Sequence, residues 1–435
     1  MRVLIVGSGG REHAFCWALK QTCTKPLELF CAPGNAGIEQ HARCLPIKVT
    51  DNDALAEFAE RSQIDLTMVG PEGPLAAGIV DSFHRRGLPI VGPTQKAARL
   101  ESSKAFAKDF MRRHAIPTAR YQIVSSAEEG VSVLQAGKFG DSDKSVVIKA
   151  DGLAAGKGVF VAANHAEAAN ALNELKSGAV GAEAAERIIV EEKLEGREVS
   201  LLLFADGKNF QLMPAARDHK RVGENDTGPN TGGMGSITDA IVLDESMRDR
   251  IVREIVEPTL HGCRSEGFPF QGILFIGLML TAGGPRVLEY NVRFGDPETQ
   301  AILVRLKSDL SQIFRAITET RLSEVQVDWA DASSACVVLA SRGYPAAPKT
   351  GAVIRGLQQA AQREQTTIFH AATVRGAANE WLTAGGRVLG VTATGESLDI
   401  ALSRCYAAID DISWDGMHYR RDIGKSHVRQ ATTKA

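Results

Sequence analysis

The run Leu288-Glu-Tyr-Asn-Val-Arg-Phe-Gly-Asp-Pro-Glu-Thr-Gln300 gathers groups that handle negative charge. Glu289 and Asn291 are two apart at the predicted end of a strand, which puts both oxygens on one face of the sheet. Hard oxygen ligands in that arrangement suit Mg²⁺, which takes one or two protein groups together with substrate phosphates. Arg293 adds a planar cation for a carboxylate or phosphate. Asp296-Pro297-Glu298 reads as a helix start, with Asp296 as the cap and Pro297 in the first helical position; those two residues are equally well explained as purely structural.

Four further segments carry possible chemistry. Gly7-Ser-Gly-Gly-Arg-Glu-His13 lies between a first strand and a first helix, where backbone N–H groups attract anions. A dinucleotide fingerprint needs a third glycine where Glu12 stands, so an NAD-linked dehydrogenase is disfavoured. The alternative is a glycine turn that only permits tight packing. Lys149-Ala-Asp-Gly-Leu-Ala-Ala-Gly-Lys-Gly158 is glycine-rich and follows an apolar strand, but no Ser or Thr follows Lys157 as a Walker loop requires. It reads as a phosphate-covering hairpin or, more plainly, as a solvated turn. Between two strands, Glu191-Glu192-Lys193-Leu194 forms a hinge able to meet a base with backbone groups, and Glu198 is placed to accept from ribose hydroxyls. Taken alone, that acidic turn is weak evidence. Asp218-His-Lys-Arg221 precedes Asp226-Thr-Gly-Pro-Asn-Thr-Gly-Gly-Met-Gly235, whose four glycines and one proline exclude regular structure. Such a loop can present backbone donors to a carboxylate or phosphate, and a mere connector of this composition would be unusual.

Alternating elements position these groups. Val3 to Val6, Leu27 to Ala32 and Ile64 to Val69 read as buried strands, with helices over Glu12 to Gln21, Asp53 to Arg61 and Leu75 to Arg86. That pattern predicts a parallel sheet covered on both faces, ending near Leu100. A helix over Lys104 to His114 stops at Pro117. Next, Tyr121 to Val124, a capping box of Ser126 with Glu129, Val146 to Lys149, Val159 to Ala162 and a helix over His165 to Lys176 suggest a small α+β lid. Ile188 to Glu192, Glu198 to Phe204, Phe210 to Ala215, Gly272 to Leu280 and Arg286 to Asn291 read as strands of a larger sheet. Helices Glu245 to His261 and Pro297 to Leu306 are expected to cover it. From about Gln326, strands Ala335 to Ala340 and Val388 to Thr392 and a helix over Ser397 to Ile409 suggest a separate, smaller α+β unit.

The 435 residues suggest about three domains. Fifty Lys and Arg against 52 Asp and Glu leave a net charge of −2, which offers no footprint for nucleic acid. Seven widely spaced cysteines without a CxxC pair read as reduced thiols rather than a disulfide framework or zinc site. The opening apolar run is too short for a signal peptide, and no later run approaches the roughly 20 residues of a membrane span. The cytoplasm is the default location.

The ordered set of motifs resembles the phosphoribosylamine-glycine ligase family, the glycinamide ribonucleotide synthetases, which are ATP-grasp enzymes of purine biosynthesis. The resemblance runs from Met1 to about Lys425 and includes Ala32-Pro-Gly-Asn-Ala-Gly37, Val69-Gly-Pro-Glu72 and Gly385-Gly-Arg-Val-Leu389. It implies an N-terminal doubly wound substrate-binding domain (1–101), an ATP-grasp domain (102–325) with a mobile lid at about 121–192, and an α+β C-terminal domain (326–425). The implied reaction joins glycine to 5-phosphoribosylamine through glycyl phosphate, using ATP and Mg²⁺, or Mn²⁺ in its place. By resemblance, Glu289 and Asn291 hold the metal, while Lys104, Lys149, Gly156, Lys157 and Gly158 meet phosphates. Glu191, Glu192, Lys193 and Leu194 line adenine, and Glu198 meets ribose. Arg293, Thr231, Gly232, Gly233 and Asp218 serve glycine and its reacting carboxylate, with Arg293, Asp218 and Lys149 as the catalytic set. Gly9, Gly10, Arg11, Glu12, His13, Asn35 and Glu72 serve phosphoribosylamine. Transient contact with neighbouring pathway enzymes is a further implication; nucleic-acid and membrane partners are not. One departure from general ATP-grasp practice is that Gly277-Leu-Met-Leu280 offers no acidic ligand for a second metal. Competing readings are another ATP-grasp ligase of purine metabolism and a nucleotide-binding module without turnover.

Overall fold

A computed structural model describes residues 1–153, 158–177 and 186–425. The first domain is a five-stranded parallel sheet in the order Arg43–Cys44, Glu28–Pro33, Arg2–Gly7, Leu66–Val69, Ile90–Val91. Chain order reverses between Arg2–Gly7 and Leu66–Val69, where open α/β sheets present a crevice at the carboxyl ends of the strands. The turns entering helices Gly10–Thr22 and Glu72–Ala76 leave the sheet there. The single helix expected over residues 75–86 is two, Glu72–Ala76 and Ile79–Arg85, because Gly78 adopts φ +79° and breaks the helical path.

Residues 121–192 build a four-stranded antiparallel sheet of their own, with helices Ala127–Gln135 and His165–Lys176 over a core that includes Val146, Ile148, Leu172 and Ile188. Ser126 caps the first helix by accepting from the Glu129 N–H at 3.1 Å. The expected return bond lands one residue early, on the Ser125 N–H at 2.8 Å.

The large sheet runs Gly284–Asn291, Gln271–Thr281, Arg197–Asp206, Ala216–Asp218, Gly235–Thr238, Ser333–Ala340, Arg387–Gly395, Thr366–His370. Strands from beyond residue 326 extend the central sheet, Ser333–Ala340 pairing with Gly235–Thr238. The strand expected over 210–215 stops at Leu212 and pairing resumes at Ala216, with Pro214 between. The helix expected from Glu245 reaches Ser265, with a π-helical turn over Val252–Val256 just ahead of Pro258, which has no N–H to donate. The helix expected over 297–306 is shorter, Glu298–Leu303. The first domain packs directly on the central sheet: a Cβ at Gly272 would lie 2.9 Å from the Gly92 Cα.

Candidate active site

Glu289 sits near the end of strand Gly284–Asn291, opposite Gly277 of the neighbouring strand. A Cβ at Gly277 would approach the Glu289 Cγ to 3.3 Å, so the missing acidic residue on that strand leaves room for the Glu289 side chain. Burial alone would raise the Glu289 carboxyl, yet Lys220, Lys104, Lys149 and Arg293 together hold it below the usual carboxylate range. Among the described residues none of these cations forms an ion pair with Glu289 within 4.0 Å. An ionised carboxylate ringed by cations that pair with other acids is an electrostatic arrangement that suits a polyphosphate with a divalent ion. Asn291 fits the same role, although its Oδ1 here accepts from an Arg293 Nη2–H at 3.2 Å.

Arg293 joins the domains. Its guanidinium pairs with Glu101 at 2.8 Å and with Glu72 of the first domain at 3.2 Å. Burial would raise the Glu72 carboxyl, but Arg293 and then Arg11 bring it below its ordinary value. Glu101 also accepts from the Val292 N–H at 2.8 Å, fixing the chain just after strand Gly284–Asn291. Two residues nominated from sequence for the substrates, Arg293 and Glu72, thus meet across the crevice.

Lys149 donates to Glu191 at 2.9 Å and to the Leu288 carbonyl at 3.3 Å. Lys108 pairs with the other Glu191 oxygen at 3.2 Å, and burial pushes its amine down to about 8. Glu191 is buried between these two lysines, so its side chain orients Lys149, while its backbone lies within the sheet opposite Tyr121 and Val147. The Glu192 side chain turns towards Arg120, at 2.7 Å. Lys193 and Leu194 follow on the hinge, and Glu198 pairs with Lys220 at 2.9 Å. Lys104 opens helix Lys104–Arg113, with its N–H bonded to the Asp151 carbonyl at 3.0 Å. The Gly158 carbonyl pairs with the Ala150 N–H at 2.8 Å; Gly156 and Lys157 lie outside the described residues.

Several nominated groups prove to be fasteners. The N–H groups of Thr231, Gly232 and Gly233 are already bonded to the Lys220 carbonyl (2.7 Å), the Tyr344 hydroxyl (3.0 Å) and Thr231 Oγ1 (3.0 Å). The loop therefore does not present those donors to an anion. Glu12 accepts from the Gly9 N–H at 2.6 Å and pairs with Arg11 at 2.7 Å, filling the space where a Gly70 Cβ would fall 1.8 Å from its oxygen. A Gly10 Cβ would meet Gln300 Nε2 at 2.7 Å. His13 Nδ1 accepts from the His370 N–H at 2.8 Å. Asn35 donates to the Ser8 and His370 carbonyls at 2.7 and 3.0 Å and accepts from the Gly37 N–H at 2.8 Å. These side chains tie the first turn to the C-terminal strands. A cavity of about 530 Å³ beside the turn is lined by Ser8, Asn35, Glu39, Cys44 and Arg375, among others. Asp296 is not a helix cap either: it accepts from Gln300 at 2.8 Å and pairs with Arg387 at 3.0 Å. The seven cysteines are all free thiols.

The fastened interface has a pH consequence. Burial lowers His13 well below its ordinary value and His370 to about 3. An imidazole near 6.5 in the unfolded chain then binds a proton there that the folded state refuses, so its contribution is complete above pH 6.5 and lost as pH falls. Buried carboxyls that are raised, such as Glu101, act in the opposite direction. The stability difference between wild type and His370→Gln isolates the imidazole. It should shrink by at most about 1.4 kcal/mol per pH unit between pH 6.5 and 5 in urea unfolding. A pH-independent difference would contradict this.

Comparison with known proteins places the whole chain in one group. Models described as phosphoribosylglycinamide synthetase N domain, ATP-grasp (A) domain and C domain match residues 1–101, 102–299 and 334–426. A phosphoribosylamine–glycine ligase of Xanthomonas axonopodis pv. citri is 46% identical over 98% of this chain and 97% of its own. One from Vibrio parahaemolyticus is 46% identical over the full length of both chains. The crystal structure of phosphoribosylamine–glycine ligase from Thermotoga maritima superposes with a TM-score of 0.83 at 33% identity, covering 97% of this chain and all of that one.

Proposed function

The chain belongs to the phosphoribosylglycinamide synthetase family, and from that membership we propose how its residues perform the ligation of glycine to 5-phosphoribosylamine. The enzyme is an ATP-dependent ligase of purine biosynthesis that uses a divalent metal. The observation that carries the residue assignment is the ionised Glu289 surrounded by Lys220, Lys104, Lys149 and Arg293. Glu289 and Asn291 would hold the metal, Mg²⁺ or Mn²⁺, whose contribution when bound is to offset phosphate charge.

Glycine's carboxylate oxygen attacks the γ-phosphorus and ADP leaves. The nitrogen of phosphoribosylamine then attacks the carbonyl carbon, phosphate leaves, and the nitrogen loses a proton to form the amide. Positioning and charge neutralisation supply most of the acceleration in such chemistry. Lys149, held by Glu191, and Lys104 meet phosphates together with Gly156, Lys157 and Gly158. The 191–194 hinge meets adenine, and Glu198 meets ribose. Arg293, held by Glu101 and Glu72, faces the reacting carboxylate. The turn at Gly9, Gly10 and Arg11, with Glu72, forms the phosphoribosylamine side of the crevice. A cytoplasmic location and transient contact with neighbouring pathway enzymes complete the proposal. No helix among the described residues is long and apolar enough to cross a membrane.

ADP release should require both glycine and phosphoribosylamine, and bicarbonate should not replace glycine. Release that is indifferent to glycine would refute the assignment.

A further inference from the structure

Lys108 is a buried cation that the ligation leaves without a role. It lies one helical turn after Lys104 on helix Lys104–Arg113, a spacing that puts both side chains on one face, and only 2% of its surface is exposed. Its ammonium pairs with Glu191 Oε1 at 3.2 Å and donates to Thr118 Oγ1 at 2.7 Å. Thr118 in turn donates to the Val287 carbonyl at 2.7 Å, on the strand that carries Glu289. The other Glu191 oxygen accepts from Lys149, which also donates to the Leu288 carbonyl of that strand. Lys108, Glu191 and Lys149 thus form a buried row of charges. It joins the body of the ATP-grasp domain to the lid.

The balance of charge in the row decides what Lys149 can offer a ligand. Glu191 and Lys149 alone would cancel, and a neutral pair has little attraction for a polyphosphate. With Lys108 the row holds two cations and one anion. Glu191 is buried, so each of its oxygens needs a partner, and its Oε1 accepts no hydrogen bond from any other group among the described residues. Without Lys108 the whole carboxylate charge would fall on Lys149. Lys149 meanwhile acts on Glu289, helping to hold that carboxyl down, so its surplus charge lies on the side where phosphate is expected.

We propose that Lys108 is a positioning residue for the nucleotide: by sharing the Glu191 charge, it leaves Lys149 a net positive charge to present to the ATP phosphates. The assignment rests on the phosphate role given to Lys149 above. Burial pushes the Lys108 amine down to about 8, against the pull of Glu191. The groups facing it are Glu191 and Glu192 on strand Ile188–Glu192, Lys149 on strand Val146–Ala150, the Thr118 hydroxyl, and the Tyr121 ring with its centroid 5.8 Å from Nζ. The Lys108 charge is therefore present below pH 8 and lost above it, and ATP binding should weaken in step.

The test compares Lys108→Met, the double variant Lys108→Met with Glu191→Gln, and Lys149→Met, with thermal unfolding to verify each fold. Lys108→Met neutralises the row and should raise the ATP KM about tenfold, the effect of one charge acting over several ångströms at the effective dielectric of a protein, with the glycine KM unchanged. The double variant restores the surplus charge, so its ATP KM should return to within about threefold of wild type, a recovery that lost packing would not give. Adenosine, which has no phosphate, should inhibit wild type and all variants with similar constants. A wild-type ATP KM in folded Lys108→Met would overturn the proposal, as would a double variant no better than the single one or equal weakening of adenosine. Should Lys108→Met not fold, the wild-type enzyme decides: its ATP KM should rise as pH passes 8 while adenosine inhibition stays level, and a flat ATP KM would overturn the proposal. An unchanged ATP KM in Lys149→Met would instead refute the phosphate role on which the proposal rests.

Discussion

Glu289→Gln should lower kcat/KM by roughly 10³-fold or more, the scale on which preorganised charge contributes to phosphoryl transfer, while the protein remains folded. Glutamine matches the shape of glutamate, and Gly277 leaves the side chain its space. What changes is the charge at the centre of Lys220, Lys104, Lys149 and Arg293. The variant loses the carboxylate proposed to hold the metal and leaves four cations with less to offset them. Steady-state ADP release and thermal unfolding in parallel check both halves. Near-wild-type turnover would remove Glu289 from the metal site.

Arg293→Ala should have the largest effect on stability, about 3–5 kcal/mol, because it strips the partner from buried Glu101 and from Glu72 together. Glu101, already pushed up by burial, would then take up a proton, so the loss should be smaller at acidic pH. Arg293→Lys should recover only part of the loss, since one ammonium cannot reproduce a guanidinium bridging two carboxylates. Urea unfolding at two pH values measures both effects. A loss below about 1 kcal/mol would mean that the Glu72–Arg293–Glu101 bridge does not hold the domains together.

The sequence made the framework easier to read than the partners of individual side chains. Short apolar runs such as Val3–Val6 and the long one ending at Leu280 have few alternatives to a buried strand, and they form strands here. Edge pairing leaves no comparable mark: nothing in Ser333–Ala340 announces that it continues the central sheet. The same limit applies to the site. Glu12, His13 and Asn35 follow or approach glycine turns and look like ligand-binding groups. Asn35 instead bonds to His370, 335 positions later, and His13 accepts from the same residue. A polar side chain beside a turn looks the same in sequence whether its partner is a substrate or a distant strand.

Lys220, Glu101, Glu298 and Arg387 stand out less in the sequence. Lys220 and Glu298 lie inside motifs noted for their neighbours, and Lys220 is two positions from Asp218, a spacing that puts both on one side of an extended chain. Glu101 carries no such signal, because only the fold brings it to Arg293.

The central claim is that glycine's carboxylate is phosphorylated before the amide forms. Turnover with glycine labelled with ¹⁸O in both carboxylate oxygens, followed by mass analysis of the released phosphate, tests it directly. The account predicts one labelled oxygen in each phosphate. Unlabelled phosphate, formed at the rate of product, would contradict it.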